Sequence, residues 1–162
     1  MKTYKLWALF FIANCLNSVN LLAQPKNINT YAVVIGISVY KSPGIPQLNF
    51  AASDAKLFAD FIKSGGAGKT IPENIRTFYN EEAHIAALYQ ALEWLKLKAK
   101  RNDRIFIYFA GHGDQESLKD KGQGYLLAYN SPRFNYRNNA LSISYLNSVA
   151  NELSIKNNAQ VF

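Results

Sequence analysis

Two short runs of branched and aromatic residues, set apart by stretches with helical periodicity, constrain this chain more than any other feature of its sequence. Residues 31–37, Tyr-Ala-Val-Val-Ile-Gly-Ile, form a continuous apolar run that is short and rich in β-branched side chains. Runs of this kind are buried on both faces of a parallel sheet. Residues 105–109, Ile-Phe-Ile-Tyr-Phe, repeat the pattern, and the more polar residues 74–79 give a second strand between the two. A first helix is expected up to Lys63, with Phe50, Leu57, Phe58, Phe61 and Ile62 as its apolar face, and Gly65, Gly66 and Gly68 break it. A second helix opens on the Glu81–Glu82 pair, turns Ile85, Leu88, Tyr89, Leu92 and Leu95 inward, and ends among Lys96, Lys98, Lys100 and Arg101. That order of charges suits the helix dipole. After Gly122 and Gly124, residues 125–127 are a short strand or turn, and Ser142 or Ser144 caps a helix carrying Leu146, Val149 and Leu153. The strand–helix–strand–helix–strand order predicts an α/β fold with a mostly parallel sheet and helices on both faces. Residues 159–162, Ala-Gln-Val-Phe, read as the opening of another buried strand, so the C-terminal part of the domain is expected beyond Phe162.

The first 23 residues stand outside this pattern. Lys2 and Lys5 precede an apolar run over residues 6–13, and Leu21, Leu22 and Ala23 before Gln24-Pro25 end the segment with a small residue. This is the make-up of a secretory signal peptide; Asn14 and Asn17 interrupt the run, which falls short of the ~20 residues needed to span a bilayer. The protein is therefore expected to be exported, secreted or periplasmic, with no stable membrane insertion once residues 1–23 are removed. Cys15 would leave with them; a lipidated Cys15 is the alternative, but Asn14 stands where such signals place a small residue. Residues 24–162 form one domain, with 49% of the full chain apolar, enough for a substantial core. Losing Lys2 and Lys5 lowers the net charge from +7 to +5, compatible with ordinary solubility. With one cysteine and only His84 and His112 beside it, neither an internal disulfide nor a zinc site of the usual spacing is available. The basic residues 96–101 read as a helix C-terminal face, and no nucleic-acid partner is expected.

Two segments could carry chemistry. Residues 63–70, Lys-Ser-Gly-Gly-Ala-Gly-Lys-Thr, match the last three positions of a G-x-x-x-x-G-K-S/T phosphate loop, but Lys63 holds its first position and the segment follows a helix instead of a strand. A flexible helix-to-strand connection is the better reading. Residues 109–113, Phe-Ala-Gly-His-Gly, end the third strand, and ligands of open α/β sheets bind beyond the carboxyl ends of the strands. Glycines flanking His112 give the backbone freedom and close approach to a substrate, and the Gly113 N–H is free to donate to a developing oxyanion.

The strand at 31–37, the segment Leu48-Asn49-Phe50-Ala51-Ala52-Ser53-Asp54-Ala55 and the block 108–113, in this order with a helix between each, resemble the caspase-like cysteine peptidases, nearest to the metacaspases and their bacterial relatives. The resemblance spans roughly residues 30–162, and the histidine block is its most specific part. It implies a caspase-like fold and hydrolysis of peptide or protein substrates by a His–Cys dyad. His112 falls on the catalytic histidine and Gly113 on the oxyanion-hole glycine; Asp54 falls on an aspartate that helps line an acidic pocket for Arg or Lys, and Ala110 on the serine before the Gly-His-Gly. Asp54 reads equally as a first-turn acid favoured by the helix dipole. Phe50, Ala51 and Ser53 replace the motif's Gly, Cys and Asn, and no arginine lies in the 38–53 loop, which weighs against aspartate specificity. The nucleophile is expected after the strand that begins at Ala159, beyond Phe162; an inactive peptide-binding or scaffold module of the same fold is the alternative. No cofactor is expected: calcium dependence occurs among metacaspases, but its ligands would lie beyond Phe162 and residues 24–162 show no calcium-loop spacing.

Overall fold

The computed structural model describes residues 28–115 and 122–162, so the expected signal peptide over residues 1–23, with Cys15, lies outside the described residues. Four parallel strands make the main sheet: β1 (Thr30–Gly36), β2 (Ile75–Tyr79), β3 (Arg104–Ala110) and β7 (Gln160–Val161), in the order β2-β1-β3-β7. Helix α1 (Ala51–Lys63) links β1 to β2, α2 (Ile85–Lys98) links β2 to β3, and α3 (Ile143–Asn157) leads into β7. Between β3 and α3 a small antiparallel sheet forms from β4 (Gly113–Gln115), β5 (Gly124–Leu126) and β6 (Leu141–Ser142), ordered β4-β5-β6. The parallel sheet with helices on both faces agrees with the sequence reading; β4 and β6 were not anticipated, being too short to carry a pattern of their own.

The period-two alternation of β1 divides its side chains between two cores. Tyr31, Val33 and Ile35 pack with Leu88, Leu92 and Leu95 of α2 and with Val149 and Leu153 of α3. Ala32 and Val34 point the other way, against Ala55, Ala59 and Ile62 of α1. All seven β1 residues are buried, which is why the run carries no polar alternation.

The apolar face expected for the first helix holds at Ile62, which is buried, and at Phe58, which packs against the same core, and is corrected at its other three positions. The face of α1 that meets the sheet is Ala51, Ala55, Ala59 and Ile62, whereas Phe50 is 69% exposed, Leu57 69% and Phe61 50%. Steric demand sets this choice. A Cβ placed on Gly36 would lie 2.5 Å from the Ala55 Cβ and 2.7 Å from the Ala51 carbonyl oxygen, so helix and strand approach too closely for a large side chain between them.

Two end signals also resolve. Glu81 and Glu82 lie in a separate 3₁₀ turn, Asn80–Glu82, whose Glu82 carboxylate accepts from the Tyr79 N–H at 3.1 Å; α2 starts three residues later, at Ile85. Of the two serine caps, Ser142 is the one used, its hydroxyl accepting from the Tyr145 N–H at 3.3 Å. Buried Asp103 ties the start of β1 to the α2–β3 turn, accepting from the N–H groups of Asn29 at 3.0 Å and Lys100 at 2.7 Å. The glycine-rich segment after α1 is a connection without a phosphate cradle: Thr70 donates its hydroxyl back to the Gly68 carbonyl, and the chain runs into a single turn at Pro72–Asn74. Gly65 and Gly68 serve there because their φ angles are positive, +85° and +102°.

Candidate active site

The carboxyl ends of β1 and β3 are locked together before they diverge. Gly36 pairs with Ala110, and the Ile37 N–H donates to the Ala110 carbonyl at 2.9 Å, carrying the ladder one residue past the end of β1. Beyond this point β1 feeds the 38–50 loop and β3 feeds His112, so the two segments face each other across the end of the sheet. Ala110 is thus a strand residue whose carbonyl is engaged by the fold.

The 38–50 loop is held by contacts that leave no mark in the residue pattern. Asn80, at φ +48°, offers its side-chain oxygen to the N–H groups of Ser38 at 2.9 Å and Val39 at 3.2 Å. The Ser38 hydroxyl accepts from the Ala52 N–H at 3.0 Å, fastening the loop to the start of α1. Tyr40 and Ile45 are buried, and the Lys41 N–H donates to the Tyr129 carbonyl. Fixed in this way, the loop grips the histidine twice. The Tyr40 hydroxyl accepts from the His112 N–H at 2.7 Å, with the two rings 5.2 Å apart, and the Pro46 carbonyl oxygen lies 2.8 Å from His112 Nε2. A carbonyl only accepts, so Nε2 carries a proton, and the lone pair of a neutral ring is on Nδ1. Burial pushes the Tyr40 phenol above its usual range, against a smaller lowering by the His112 N–H, so it stays a neutral hydroxyl at physiological pH.

The two glycines around His112 serve different ends. Neither has a positive φ, so unusual backbone dihedrals, expected for both, are not what they supply. A Cβ on Gly111 would meet the Tyr40 hydroxyl at 2.8 Å and the Phe109 ring at 2.9 Å; the fold itself requires glycine there. A Cβ on Gly113 would meet only ordinary contacts, the nearest at 3.5 Å. The Leu127 N–H donates to the His112 carbonyl at 2.9 Å, so His112–Leu127 stands at a hydrogen-bonded position of the ladder, with its second bond replaced by that of the His112 N–H to Tyr40. Antiparallel pairs alternate, so Gly113, opposite Leu126, occupies a non-hydrogen-bonded position with its N–H turned away from β5.

His112 and Gly113 line a cleft of about 270 Å³ together with Gly44, Ile45, Pro46, Asp114, Leu127, Arg133 and Tyr136. The Asp114 carboxylate there accepts from the Gln115 N–H at 2.7 Å and lies 2.6 Å from the Tyr136 hydroxyl, whose one proton it shares with the Arg133 carbonyl. These two bonds, the tyrosine's first, hold it below the usual carboxylate range, with a lesser contribution from His112. Asp54 is not part of this lining. It sits exposed in the first turn of α1, where the helix dipole favours an acid. Pro46, Tyr40 and Asp114 are the site residues that sequence reasoning missed; only Asp114 had a signal, standing two residues from His112 on a strand that alternates its faces. Among the described residues no three His, Cys, Asp or Glu side chains gather where they could hold a metal ion.

An open parallel sheet flanked by helices, with a glycine-bracketed histidine at the carboxyl end of an inner strand, defines a caspase-like α/β domain. The crystal structure of protein GSU0716 from Geobacter sulfurreducens shares this fold, with a TM-score of 0.59 at 15% identity over 75% of this chain and 44% of that one. The chain thus spans less than half the length of that protein. Residues 29–155 match the family model described as the Caspase domain, and the chain belongs to this family of cysteine peptidases. No curated protein gives a significant sequence match.

Proposed function

We propose that the whole protein is an exported cysteine endopeptidase cutting after Arg or Lys, with His112 as general acid–base and a cysteine on a continuation of β7 as nucleophile. The observation that carries this reading is the 2.8 Å contact of His112 Nε2 with the Pro46 carbonyl, which fixes the ring and leaves Nδ1 free to take a proton. Register supports the place of the nucleophile. Ile105 pairs with Val161, so seven steps along both strands bring the sixth residue past Phe162 level with His112. Past Ile107, which donates to the Phe162 carbonyl, β3 has no strand partner on its β7 side among the described residues.

In this scheme His112 Nδ1 accepts the thiol proton and the thiolate attacks the scissile carbonyl carbon. The Gly113 N–H donates to the resulting oxyanion, and the imidazolium then protonates the departing amine as the carbon–nitrogen bond breaks. Water, deprotonated by the same nitrogen, hydrolyses the acyl-enzyme and restores the thiol. An inactive peptide-binding module is the second reading, favoured because Ala51 is buried against the sheet and the Ser53 hydroxyl is spent on the Phe50 carbonyl at 2.8 Å. The test is turnover of fluorogenic peptides ending in Arg or Lys by the whole protein under reducing conditions. His112→Ala is expected to lower it about a thousandfold and iodoacetamide to abolish it. Unchanged turnover in the His112 variant refutes the dyad.

A further inference from the structure

We propose that the amino end of the main sheet, opposite the histidine cleft, holds a binding site for a carboxylate, with Arg104 as its cation. The site is independent of the proposed peptidase chemistry, which lies at the other end of the strands.

A cavity of about 330 Å³ opens there, lined by Ile28, Asn102, Arg104, Asn158, Ala159 and Gln160. The lining holds one cation, three side-chain amides and no acid. Arg104 and Gln160 stand opposite each other where β3 pairs with β7. Each precedes by two residues a member of the stacked Phe106 and Phe162 rings, so both side chains leave the same face of the sheet. Asp103, next to Arg104 in the chain, leaves the opposite face, where it is 1% exposed and spent on the N–H groups of Asn29 and Lys100.

The guanidinium is oriented but not satisfied. Its Nη1 donates to the Ala67 carbonyl at 3.4 Å, and Gly68 makes room for it, since a Cβ there would collide with Nη1. That contact gives the glycine-rich connection after α1 a structural role. No carboxylate pairs with Arg104 among the described residues, and its remaining N–H groups are free to donate. A half-buried guanidinium with one neutral partner is a costly arrangement that an anion relieves.

Two turns in the left-handed conformation set the amides around it. Asn102, at φ +71°, and Asn158, at φ +47°, are joined by Asn158 Nδ2, which donates to Asn102 Oδ1 at 2.9 Å. This bond leaves the Asn102 amino group as a donor and Asn158 Oδ1 as an acceptor. The Gln160 amide makes no side-chain hydrogen bond among the described residues. The carboxyl ends of α2 and α3 also meet here, and their dipoles oppose an anion. Both are partly quenched: the Asn157 carbonyl accepts from the Asn102 N–H at 2.8 Å, and the Ala99 carbonyl from Asn157 Nδ2 at 3.0 Å. A single cation suits a monoanion, and a planar fork beside planar amides suits a carboxylate better than a phosphate dianion. Asn158 Oδ1 adds an acceptor for an N–H borne next to that carboxylate, as at the C-terminus of a peptide.

The experiment is a heteronuclear NMR titration of the whole protein, read at the backbone amides of Asn102, Ala159 and Gln160 and at the Arg104 Nε–H. The probes are acetate, N-acetylglycine, its neutral counterpart N-acetylglycinamide, and inorganic phosphate, at one ionic strength set with chloride. Acetate and N-acetylglycine are expected to move these signals saturably, and N-acetylglycinamide to bind at least about tenfold more weakly than N-acetylglycine. Arg104→Gln should abolish the shifts. Arg104→Lys keeps the charge and the stem without the fork, and should weaken binding about threefold. His112→Ala should leave it unchanged. Binding of N-acetylglycine tighter than acetate assigns the site to a peptide terminus and equal binding to a free acid, and both carry the proposal. The comparison with the neutral amide uses the unmutated protein, so it decides even if a variant fails to fold. Equal binding of that amide, shifts that persist in Arg104→Gln, tighter binding of phosphate, or no saturable shift at all overturns the proposal.

Discussion

The grip of the 38–50 loop on the histidine segment can be measured with a double-mutant cycle between Tyr40 and Gly111. Tyr40→Phe removes one oxygen and leaves the buried ring. The His112 N–H, 2.7 Å from that oxygen in a half-buried setting, then loses its acceptor. An orphaned donor of this kind costs about 1–2 kcal/mol. Gly111→Ala acts from the opposite side: its Cβ would press on the Tyr40 hydroxyl at 2.8 Å and on the Phe109 ring at 2.9 Å, and overpacking of this kind costs about 1–3 kcal/mol. In the double variant the hydroxyl is absent, so the alanine relieves half of its clash while the Phe109 contact remains. The combined loss should therefore fall short of the sum of the two singles by about 1 kcal/mol. Urea unfolding of the four proteins, with a common m value, gives the four free energies. Each kcal/mol should also lower Tm by about 3 °C. Additivity within about 0.5 kcal/mol would refute the reasoning, because it would mean that the two groups do not touch.

Asp103→Ala should destabilise the fold by about 2–4 kcal/mol, since it strands the N–H groups of Asn29 and Lys100 at a site only 1% exposed; a melting temperature within 2 °C of the parent, about 1 kcal/mol or less, would count against it. Burial first, and then its bond to the Glu93 carboxylate, push the Tyr145 phenol up to about 12. Its folded value lies above the unfolded 10.0, so the stability it contributes is complete below pH 10 and is lost as the pH rises through about 12. Ultraviolet titration should show a late-ionising tyrosine that Tyr145→Phe removes. Asp114 has the opposite sign: its folded value is depressed, so its contribution is present at neutral pH and lost as acid brings the pH down through that value. Asp114→Asn should make the acid side of the stability profile shallower.

The strands were legible because burial on both faces leaves a composition mark that needs no partner to be seen. β1 reads as Thr-Tyr-Ala-Val-Val-Ile-Gly, and its two faces belong to two different cores, so its one polar side chain, Thr30, stands at the strand's start, where its hydroxyl donates to the Ala67 carbonyl at 3.3 Å. The histidine site was legible for a related reason, its two glycines marking a turn at a strand's end. Helix α1 is visible as a helix, with Phe58 and Ile62 on its inner face, but three other residues of that face differ. Hydrophobic size points to Phe50, Leu57 and Phe61, while the sheet selects Ala51, Ala55 and Ala59 because Gly36 draws the helix axis in. That selection depends on a distance between two elements, which periodicity within one of them cannot encode. The same holds for the Pro46 carbonyl, which meets His112 across 66 residues of chain and contributes no side-chain chemistry to the contact.

These features together explain why the candidate site lies at one fork in the chain. Gly36 and Ala110 are the last paired residues of β1 and β3, and the Ile37-to-Ala110 hydrogen bond makes the branching point rigid. The small side of Gly36 admits the start of α1, and the Ser38 hydroxyl then ties that helix end to the loop that must carry Tyr40 and Pro46. A bulky residue at position 36 would therefore act at a distance: it would lift α1, release Ser38 from the Ala52 N–H and loosen the carbonyl that orients His112. The loop would lose its register on the histidine even though none of the residues that touch the ring had changed. Gly36→Ala is expected to lower both stability and ordering of His112, whereas Gly113→Ala, whose Cβ meets only ordinary contacts, should leave stability near the parent value and affect what the cleft admits. A Gly113→Ala protein that unfolds as readily as Gly36→Ala would show that the open face of Gly113 serves packing instead of access.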